Sequence, residues 1–332
     1  MADRCIDGTL TTGTEAGTVA GAAPTDGEWA NAAHAEANIQ GAYDQLVAGD
    51  TLHATRTQTL TAPIDIDQAS GSGGSMIKVL GYNYNAGSPI ADGTKYVIDA
   101  NSAAANCIDI ADKDFWVFEN VEFKNATADN VTGSVASPRS CTFKNCTSHD
   151  AGGDGWGNSG GAPLLVSRFI LCQAYNNVNG YAITTLGRFL FCTAHTNSAI
   201  GFNTYGGAYF GCVAYDNSIS FRDQSIENGI FFNCASDDAT SAHFSCLSFG
   251  AIVAGCRMTG TGTGILGSGT QDVLDLWNFN NCGTKTNNIT VDQQIKGVDT
   301  RIETGVEGYI DAAGGNYGLT NSAAARRTAV AL

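Results

Sequence analysis

The sequence predicts an all-β chain coiled as a single-stranded parallel β-solenoid, and three observations carry that prediction. One short pattern recurs nine times between residues 106 and 282: an aromatic or other apolar residue, a spacer, usually Asn or Gly, and then Cys. The Cys-equivalent positions lie 19 to 26 residues apart, which is the length of one solenoid coil. The 41 Gly against only 5 Pro suit tight turns between hydrogen-bonded strands. The copies end at Cys107, Ala126, Cys146, Cys172, Cys192, Cys212, Cys234, Cys256 and Cys282.

Each copy is interpreted as a bend between two short strands. The residue before the Cys position is Asn or Gly in seven of the nine copies, and these residues enter the left-handed backbone region most cheaply. A bend there lets the aromatic residue and the Cys both point inward, and the small residue two positions after Cys does the same. Because coils stack about 4.8 Å apart, the sequence predicts interior columns of Phe, of Cys and of small residues.

Four regions follow one another along the chain. Residues 1–24 are too poor in large apolar side chains to fold alone, which predicts a flexible N-terminal arm. Residues 25–48 are predicted to form a helix that caps the open end of the solenoid, because an uncovered first coil would expose core and strand edge. Residues 49–282 are the parallel β-helix, and residues 283–332 are a closing segment and tail.

The period, the turn asparagines and the inward columns resemble the right-handed parallel β-helix of the pectate-lyase-like superfamily. The resemblance covers about residues 30–300, and it includes the Gly-Asp-Thr strand entry at residues 49–51. It implies the fold and leaves the activity open, because this fold carries lyases, hydrolases, esterases, phage tailspikes and inert structural proteins.

The charge balance excludes several classes of partner. The chain has 17 basic and 32 acidic residues, a net charge of −15, whereas nucleic acids and anionic membranes attract basic surfaces. The N-terminus has no apolar run and no stretch reaches 18 apolar residues, so we expect neither a signal peptide nor a membrane anchor.

The 11 cysteines are interpreted as a reduced cysteine ladder of small buried side chains. Parallel Cβ vectors make the disulfide dihedral poor, and an odd total leaves one thiol free. CxxC pairs are absent and one thiol per coil gives no tetrahedral set, so we expect no metal and no cofactor. A buried reduced ladder predicts folding in a host cytoplasm, from which the protein leaves by lysis or inside an assembled particle.

Candidate binding residues lie on columns predicted to face solvent. Three residues after each Cys position, the sequence places an aromatic or imidazole ring in four successive coils. Such a stripe stabilises the sheet by stacking, or packs in a subunit interface, or stacks on sugar rings. The stripe is His149, Tyr175, His195 and Tyr215, on a column that also contains Asp129, Asp237, Thr259 and Lys285.

Two further binding candidates lie outside that stripe. Arg168 and Arg188 are predicted to lie in register one coil apart. Their like charges repel, so we expect either a surface carboxylate of this chain or an acidic group of a partner to pair with them. Trp156 lies in the Gly-rich insertion of the longest internal coil, and we expect it either to fold back on the coil or to contact a partner.

Candidate catalytic residues are three acids. Asp216 and Asp238 occupy equivalent positions in adjacent coils, with Asp237 beside them, and a glycosidase needs two carboxylates roughly 5 to 10 Å apart. The Asp237-Asp238 pair resembles that of polygalacturonase-type hydrolases, but the Gly-His-Gly and Arg-Ile-Lys of that family are missing. Solvated acids at turns are the alternative interpretation.

The chain as a whole looks most like a bacteriophage virion protein: a capsid decoration, head spike or tail fibre without enzymatic activity. We expect capsid or other virion proteins as partners, together with self-association into a homo-oligomer such as a trimer. The alternatives are a polysaccharide hydrolase or lyase of tailspike type, and a module that binds a surface glycan. No sequence motif names the partner.

Overall fold

The computed structural model confirms an all-β chain of parallel coils. The chain divides into two compact units, unit 1 (residues 1–193) and unit 2 (residues 194–332), where the sequence predicts one domain. In a solenoid each coil packs only on its neighbours, so contacts do not tie the chain into one body as they do in a globular domain. The structure describes residues 3–7, 17–19, 30–31, 35–44, 46–83, 88–89, 95–133, 140–157, 167–183, 186–224, 229–247, 251–276, 278–290, 309–310 and 318–319.

Short strands dominate both units. The elements as far as residue 190 are β1 (Asp3–Asp7), β2 (Gly17–Val19), β3 (Ala30–Asn31), α1 (Ala35–Asp44), β4 (Thr51–Thr55), β5 (Thr57–Thr59), β6 (Ile64–Asp65), β7 (Ile77–Asn83), β8 (Ser88–Pro89), β9 (Tyr96–Asp99), β10 (Ile108–Asp109), β11 (Trp116–Glu119), β12 (Val121–Lys124), β13 (Val131–Thr132), β14 (Thr142–Lys144), β15 (Thr147–His149), β16 (Arg168–Ile170), β17 (Gln173–Tyr175), β18 (Asn179–Ile183) and β19 (Arg188–Leu190). They are followed by β20 (Thr193–His195), β21 (Ile200–Thr204), β22 (Ala208–Phe210), β23 (Val213–Tyr215), β24 (Ile219–Asp223), β25 (Ile230–Phe232), β26 (Ala235–Asp237), β27 (Ala242–Cys246), β28 (Ala251–Ala254), β29 (Arg257–Leu276), β30 (Phe279–Thr290), β31 (Tyr309–Ile310) and β32 (Gly318–Leu319).

The parallel strands of the described residues form three sheets in each unit, and the pairs β1–β2, β7–β8 and β31–β32 are antiparallel. In unit 1, sheet 1 is β4-β7-β11-β14-β16-β19 and sheet 2 is β5-β9-β12-β15-β17. Sheet 3 of unit 1 is β6-β10-β13, extended by bridges through Trp156 to Tyr181. In unit 2, sheet 1 is β22-β25-β28-β29, sheet 2 is β23-β26-β29-β30, and sheet 3 is β21-β24-β27-β29-β30.

The predicted Phe column fills the interior. In unit 1 the rings of Phe143, Phe169 and Phe189 are buried and stack with centroids 5.1 and 5.0 Å apart and planes 7° from parallel. In unit 2 Tyr209 and Phe231 stack in the same way at 4.7 Å. This spacing is the coil-to-coil distance, so each added coil buries one more aromatic side chain against the last.

The predicted bends are present at the residue before Cys146, Cys172, Cys192, Cys212, Cys234 and Cys256, whereas Asn106 and Asn281 do not adopt the left-handed conformation. Asn145 in unit 1 has a φ of 50°, and Asn233 in unit 2 has a φ of 52°. Leu171 and Phe191 also adopt this left-handed conformation, with φ values of 55° and 54°, although neither residue type favours it. The bend is therefore a property of the coil and is imposed even on bulky residues.

The Cys column is shorter than the nine-copy pattern predicts. Its members are Cys146, Cys172 and Cys192 in unit 1 and Cys212, Cys234 and Cys256 in unit 2, all of them buried. Cys107, Ala126 and Cys282 do not lie on it, which corrects the predicted alignment at both ends.

Strand register gives the physical reason for that correction. Lys124 pairs with His149, so the residue of the preceding coil that is equivalent to Cys146 is Val121 and not Ala126. Cys107 precedes the sheet 3 strand β10, and Cys282 pairs with Gly260, four residues beyond the Cys column. The ten cysteines whose side chains the structure describes are free thiols.

The two ends differ from the predicted boundaries. Strand β1 pairs in parallel with β4, so the arm predicted at residues 1–24 contributes an edge strand that covers the first coil. The capping helix is shorter than residues 25–48, and its Tyr43 stacks at 6.3 Å on Trp116. The solenoid continues through β30, beyond the predicted end at residue 282. No helix in the described part of the chain is long and apolar enough to cross a membrane.

Candidate functional site

The predicted ring stripe is present as two stacked pairs, one in each unit. His149 and Tyr175 are paired in register and their rings stack at 4.6 Å and 7°. His195 and Tyr215 stack at 4.7 Å and 2°. The prediction that Asp129 shares this column is wrong, because Lys124 holds that register and Asp129 is 3 % exposed.

The lower part of the same column needs a second correction. Tyr215, Asp237 and Thr259 pair in successive strands, as predicted. Thr259 then pairs with Asn281, so Lys285 does not lie on the column. The misalignment at Cys282 is its cause.

His149 is held by two carboxylates. Its Nδ1 donates to Asp150 at 2.7 Å and its Nε2 donates to Glu122 at 3.2 Å. Because an ionised carboxylate only accepts, this arrangement favours the imidazole with hydrogen on both ring nitrogens, which is the positively charged form. Burial lowers the pKa of His149, but the hydrogen bonds to Glu122 and Asp150 outweigh burial and raise it. The hydrogen bond from His149 in turn lowers the pKa of Glu122 against the opposing effect of burial.

Lysines complete this polar network on the outer face of sheet 2. Lys124 lies 3.8 Å from Glu122 and 3.7 Å from Asp99. Lys95 donates to the hydroxyl of Thr147, and burial lowers the pKa of Lys95. The network joins charges on neighbouring coils, so it cross-links the sheet from outside.

A protonated His149 with both nitrogens occupied has no lone pair with which to act as a general base.

His195 in unit 2 has different surroundings. It is half-buried, and its Nδ1 lies 3.1 Å from the Thr196 hydroxyl. Burial lowers the pKa of His195, and the charge of Asp216 opposes that effect only in part. The lowered pKa of His195 favours the neutral imidazole in this stacked pair.

Arg168 and Arg188 lie in register on β16 and β19, as predicted. Both side chains are exposed, and neither has an ion-pair partner among the residues that the structure describes. The bends that follow them present Leu171 and Phe191, which are 52 % and 61 % exposed. These two apolar residues were not predicted as surface residues, although Leu and Phe stand where other coils have Asn or Gly.

A second surface that the sequence analysis misses is the outer face of sheet 1 in unit 2. Along β22, β25 and β28, successive side chains point alternately into the interior and out to solvent. The outward side chains are all apolar, and Phe210, Ile230 and Phe232 are between 37 % and 42 % exposed. The aromatic doublets Tyr209-Phe210 and Phe231-Phe232 are the sequence signal for it. We call this surface the apolar strip: Ala208, Phe210, Ile230, Phe232 and Ile252.

The candidate catalytic acids lie at the bends of two adjacent coils. Asp216 and Asp238 are exposed residues at left-handed bends, with φ values of 53° and 48°, so they are turn acids. Asp237 accepts a hydrogen bond from Thr259 and lies 3.6 Å from Arg257. The acids stack along one edge of successive coils, whereas glycoside hydrolysis needs carboxyls on both sides of a bond.

Trp156 folds back on its own coil, which was one of the two predicted outcomes. It is 0 % exposed, and its ring stacks on Tyr181 at 4.8 Å. The edge-on contacts with Phe143 and Phe169 complete its packing. It has no surface to offer a partner.

One acidic pair was not predicted. Asp154 follows Asp129 by one coil, its backbone N–H donates to the Asp129 carboxylate at 2.8 Å, and its own carboxylate accepts from Asn179 at 2.7 Å. Burial, together with the charge of Asp129, raises the pKa of Asp154 to about 6. Across the described residues, no cluster of three or more His, Cys, Asp or Glu side chains is placed to hold a metal ion.

Comparison with known proteins supports the fold. No family model matches the chain, and no curated protein sequence matches it. An alginate lyase from Paenibacillus sp. str. FPU-7 is 11 % identical with a TM-score of 0.56, over 77 % of this chain and 97 % of that one. The pectate lyase Pel9A is 13 % identical with a TM-score of 0.54, over 96 % and 89 %. ORF18 of Geobacillus virus E2 is 11 % identical with a TM-score of 0.45, over 82 % and 60 %.

The two lyases share the right-handed parallel β-helix with this chain. At identities of 11 % and 13 % the likeness concerns the fold alone, because one solenoid architecture serves many unrelated activities. The fold class predicted from the sequence is thus confirmed, and the activity has to be argued from the outer faces.

Proposed function

We propose that this chain is a structural, adhesive protein of a phage particle: a capsid decoration, head spike or tail fibre. It acts by packing its outer faces against other proteins. The observation that carries the proposal is the apolar strip. All five of its outward positions are apolar in a chain whose net charge is −15. An exposed apolar patch on an otherwise acidic protein marks a protein contact.

The area involved suits an interface. Phe210 and Phe232, at 41 % and 42 % exposed, each leave roughly 60 to 100 Å² open to water, since an aromatic side chain buries 150 to 250 Å² when fully covered. Ile230 is 37 % exposed and continues the strip. Covering such a patch is worth about 25 cal/mol per Å² before the cost of association is subtracted.

The enzymatic alternative has weaker support. Asp216, Asp237 and Asp238 lie along one edge of the coils, and His149 has its proton locked between two carboxylates. A polysaccharide hydrolase or lyase would need a free acid and base facing each other across a groove. The buried thiols favour folding in the host cytoplasm, with the virion as the final location.

The test combines particle association with a cleavage assay. Phe210→Ser with Phe232→Ser should keep the protein soluble and folded while lowering its co-sedimentation with the particle at least about 10-fold, because interface aromatics carry much of the binding energy. The matched control is Tyr205→Ser, an aromatic residue 37 % exposed but outside the strip. Unchanged particle association of the double variant would overturn the adhesive proposal.

The cleavage assay addresses the enzyme directly. We expect no depolymerisation of pectate, alginate or host surface polysaccharide by the native protein. Cleavage that disappears in Asp238→Asn would replace the structural proposal by the enzymatic one.

A second candidate function, glycan binding, is favoured by one observation. The His195 and Tyr215 rings are half-buried and parallel, and the lowered pKa of His195 favours its neutral form, as an aromatic contact with a sugar ring requires. Tyr215→Ala should then abolish retention on a glycan array, whereas Tyr175→Ala in unit 1 should not. Equal behaviour of the two variants would contradict this candidate.

A further inference from the structure

Two adjacent coils of unit 1 repeat the same surface pattern. Each has an outward Arg, an outward aliphatic residue two positions later, and an exposed apolar residue at the bend. The interior residues between them are buried Phe side chains. We call this surface the basic patch: Arg168, Ile170, Leu171, Arg188, Leu190 and Phe191.

Within the described part of the chain, the two arginines of the basic patch have no carboxylate partner. Two guanidinium groups about 4.8 Å apart repel each other unless carboxylates lie between or opposite them. No described residue forms an ion pair with Arg168 or Arg188, and both are exposed. Leu171 and Phe191 stand in left-handed bends with φ values of 55° and 54°, a conformation that disfavours large side chains. Exposed apolar residues in left-handed bends, beside arginines that form no ion pair with a described residue, are typical of a protein contact.

The pattern defines what the partner must present. It needs two carboxylates one coil apart, to face the arginines, and small or apolar side chains three residues away, to face Leu171 and Phe191. A surface that is itself a stack of β-coils has the same repeat of about 4.8 Å and so can satisfy both coils at once. A second β-solenoid meets these conditions.

Unit 2 of this same chain has that complementary surface. Asp216 and Asp238 are exposed, occupy adjacent coils because Tyr215 pairs with Asp237, and have no ion-pair partner among the described residues. Val213 precedes Asp216 by three residues and is 39 % exposed, and Ala235 precedes Asp238 by the same interval. We call this surface the acidic patch: Val213, Asp216, Ala235 and Asp238.

We propose that the basic patch of one copy binds the acidic patch of a second copy. With the facing strands running in opposite directions, each Arg meets an Asp, and Leu171 and Phe191 meet Val213 and Ala235. Because the two patches differ, the contact is heterologous, and it closes into a ring or extends into a filament. The inference rests on the proposed function and names one partner for it.

The test is a charge swap read by sedimentation velocity at low salt. Arg168→Glu with Arg188→Glu, or Asp216→Lys with Asp238→Lys, should raise the dissociation constant of self-association at least about 10-fold. The four substitutions together should restore it, because opposite charges face each other again. Lys78→Glu, an exposed charge on the same sheet, is the matched control and should leave association unchanged.

Milder variants guard against a folding defect. Arg168→Ala with Arg188→Ala and Asp216→Asn with Asp238→Asn should keep the native circular dichroism spectrum and still weaken self-association. A native protein that stays monomeric throughout, or a quadruple variant that fails to reassociate while folded, would overturn the inference.

Two further readouts separate the alternatives. Binding of polygalacturonate that depends on Arg168 and Arg188, without self-association, would assign the basic patch to an acidic glycan and refute the contact between copies. A native protein that stays monomeric and still associates with the particle would overturn this inference alone. Loss of particle association in the Phe210 and Phe232 variant, with self-association intact, supports both proposals as separate contacts.

Discussion

His149 in unit 1 and His195 in unit 2 occupy the same position of the repeat, three residues after a column Cys. Both rings stack on a Tyr of the next strand, at 4.6 and 4.7 Å. Yet the pKa of His149 is raised by its hydrogen bonds to two carboxylates, against burial, and the pKa of His195 is lowered by burial. The repeat thus fixes where a side chain lies, and the outward neighbours decide its charge.

The same lesson applies to sheet 1. Its outer face in unit 1 carries Arg168 and Arg188 and an ion pair between Lys144 and Glu119 at 2.6 Å. In unit 2 the corresponding face is the apolar strip. The interior Phe and Cys columns are alike in both units, so the outer faces are free to diverge while the fold is kept.

The largest expected effect comes from removing each imidazole in turn. His149→Gln should lower the free energy of unfolding by about 2 kcal/mol at pH 6, because a neutral amide replaces the charge-assisted hydrogen bonds of the imidazole to two carboxylates. His195→Gln should change it by less than about 0.5 kcal/mol, as for an ordinary surface position. Urea unfolding measures both. Equal losses would show that stacking on Tyr, and not the carboxylates, stabilises His149.

The pH dependence of those two losses should run in opposite directions. His149 has a raised pKa in the folded state, so its contribution is complete below the unfolded value of 6.5 and disappears as the pH rises through the folded pKa. His195 has a lowered pKa, so its contribution is complete above 6.5 and falls as the solution is acidified.

Glu122 sets the lower limit of the pH range in which His149 stabilises the fold. Its pKa is lowered from 4.5 by the hydrogen bond from His149, so its contribution is lost as the pH falls through the folded pKa. The stabilising effect of His149 over Gln, measured from pH 3 to 9, should therefore peak between about 4.5 and 6.5. An effect independent of pH would contradict the charged imidazole.

Glu122→Gln should make the two histidines more alike. Without that carboxylate the pKa of His149 should fall toward that of His195, which NMR titration of the ring Hε1 signals measures directly. Glu119→Gln is the control, because Glu119 pairs with Lys144 on another sheet. A pKa of His149 that is the same in both variants would exclude Glu122 as a cause.

The smallest effect is expected from the reverse conversion. Thr196 follows His195 as Asp150 follows His149, and both occupy left-handed bends, with φ values of 54° and 56°. Thr196→Asp should raise the pKa of His195 while changing stability by only about 0.2 to 1 kcal/mol, because the new pair is partly exposed. The NMR titration decides this too, and an unaltered pKa would mean that a neighbouring acid alone is not enough.

The sequence predicts the interior well because stacking repeats its signal. Phe169 and Phe189, with Cys172 and Cys192 three residues after them, are found in register as expected. The predicted alignment is wrong in the coils where the residue after the bend is not Cys. The true equivalent of Phe143 is Phe118, since Val117 pairs with Thr142, but the bend after Phe118 leads to Val121, and the pattern at Ala126 misled the alignment.

The surfaces are harder to predict for a related reason. His149 was found from its position, but its partner Glu122 belongs to the coil whose register was misassigned. Leu171 and Phe191 look like core residues by composition, and only the left-handed bend turns them outward. Sequence periodicity reports which residues share a column, whereas it does not report what lies beside the column on the next sheet.

The cysteine column gives the solenoid one chemical reporter in each of six coils. Burial raises the pKa of Cys146 and Cys234 well above that of a free thiol, and Cys146 donates its S–H to the Phe118 carbonyl at 3.3 Å. A thiol-reactive label can therefore attack a given cysteine only while that coil is open. Site-resolved mass spectrometry of the labelled chain would read the opening free energy coil by coil, and so reveal from which end the solenoid unwinds.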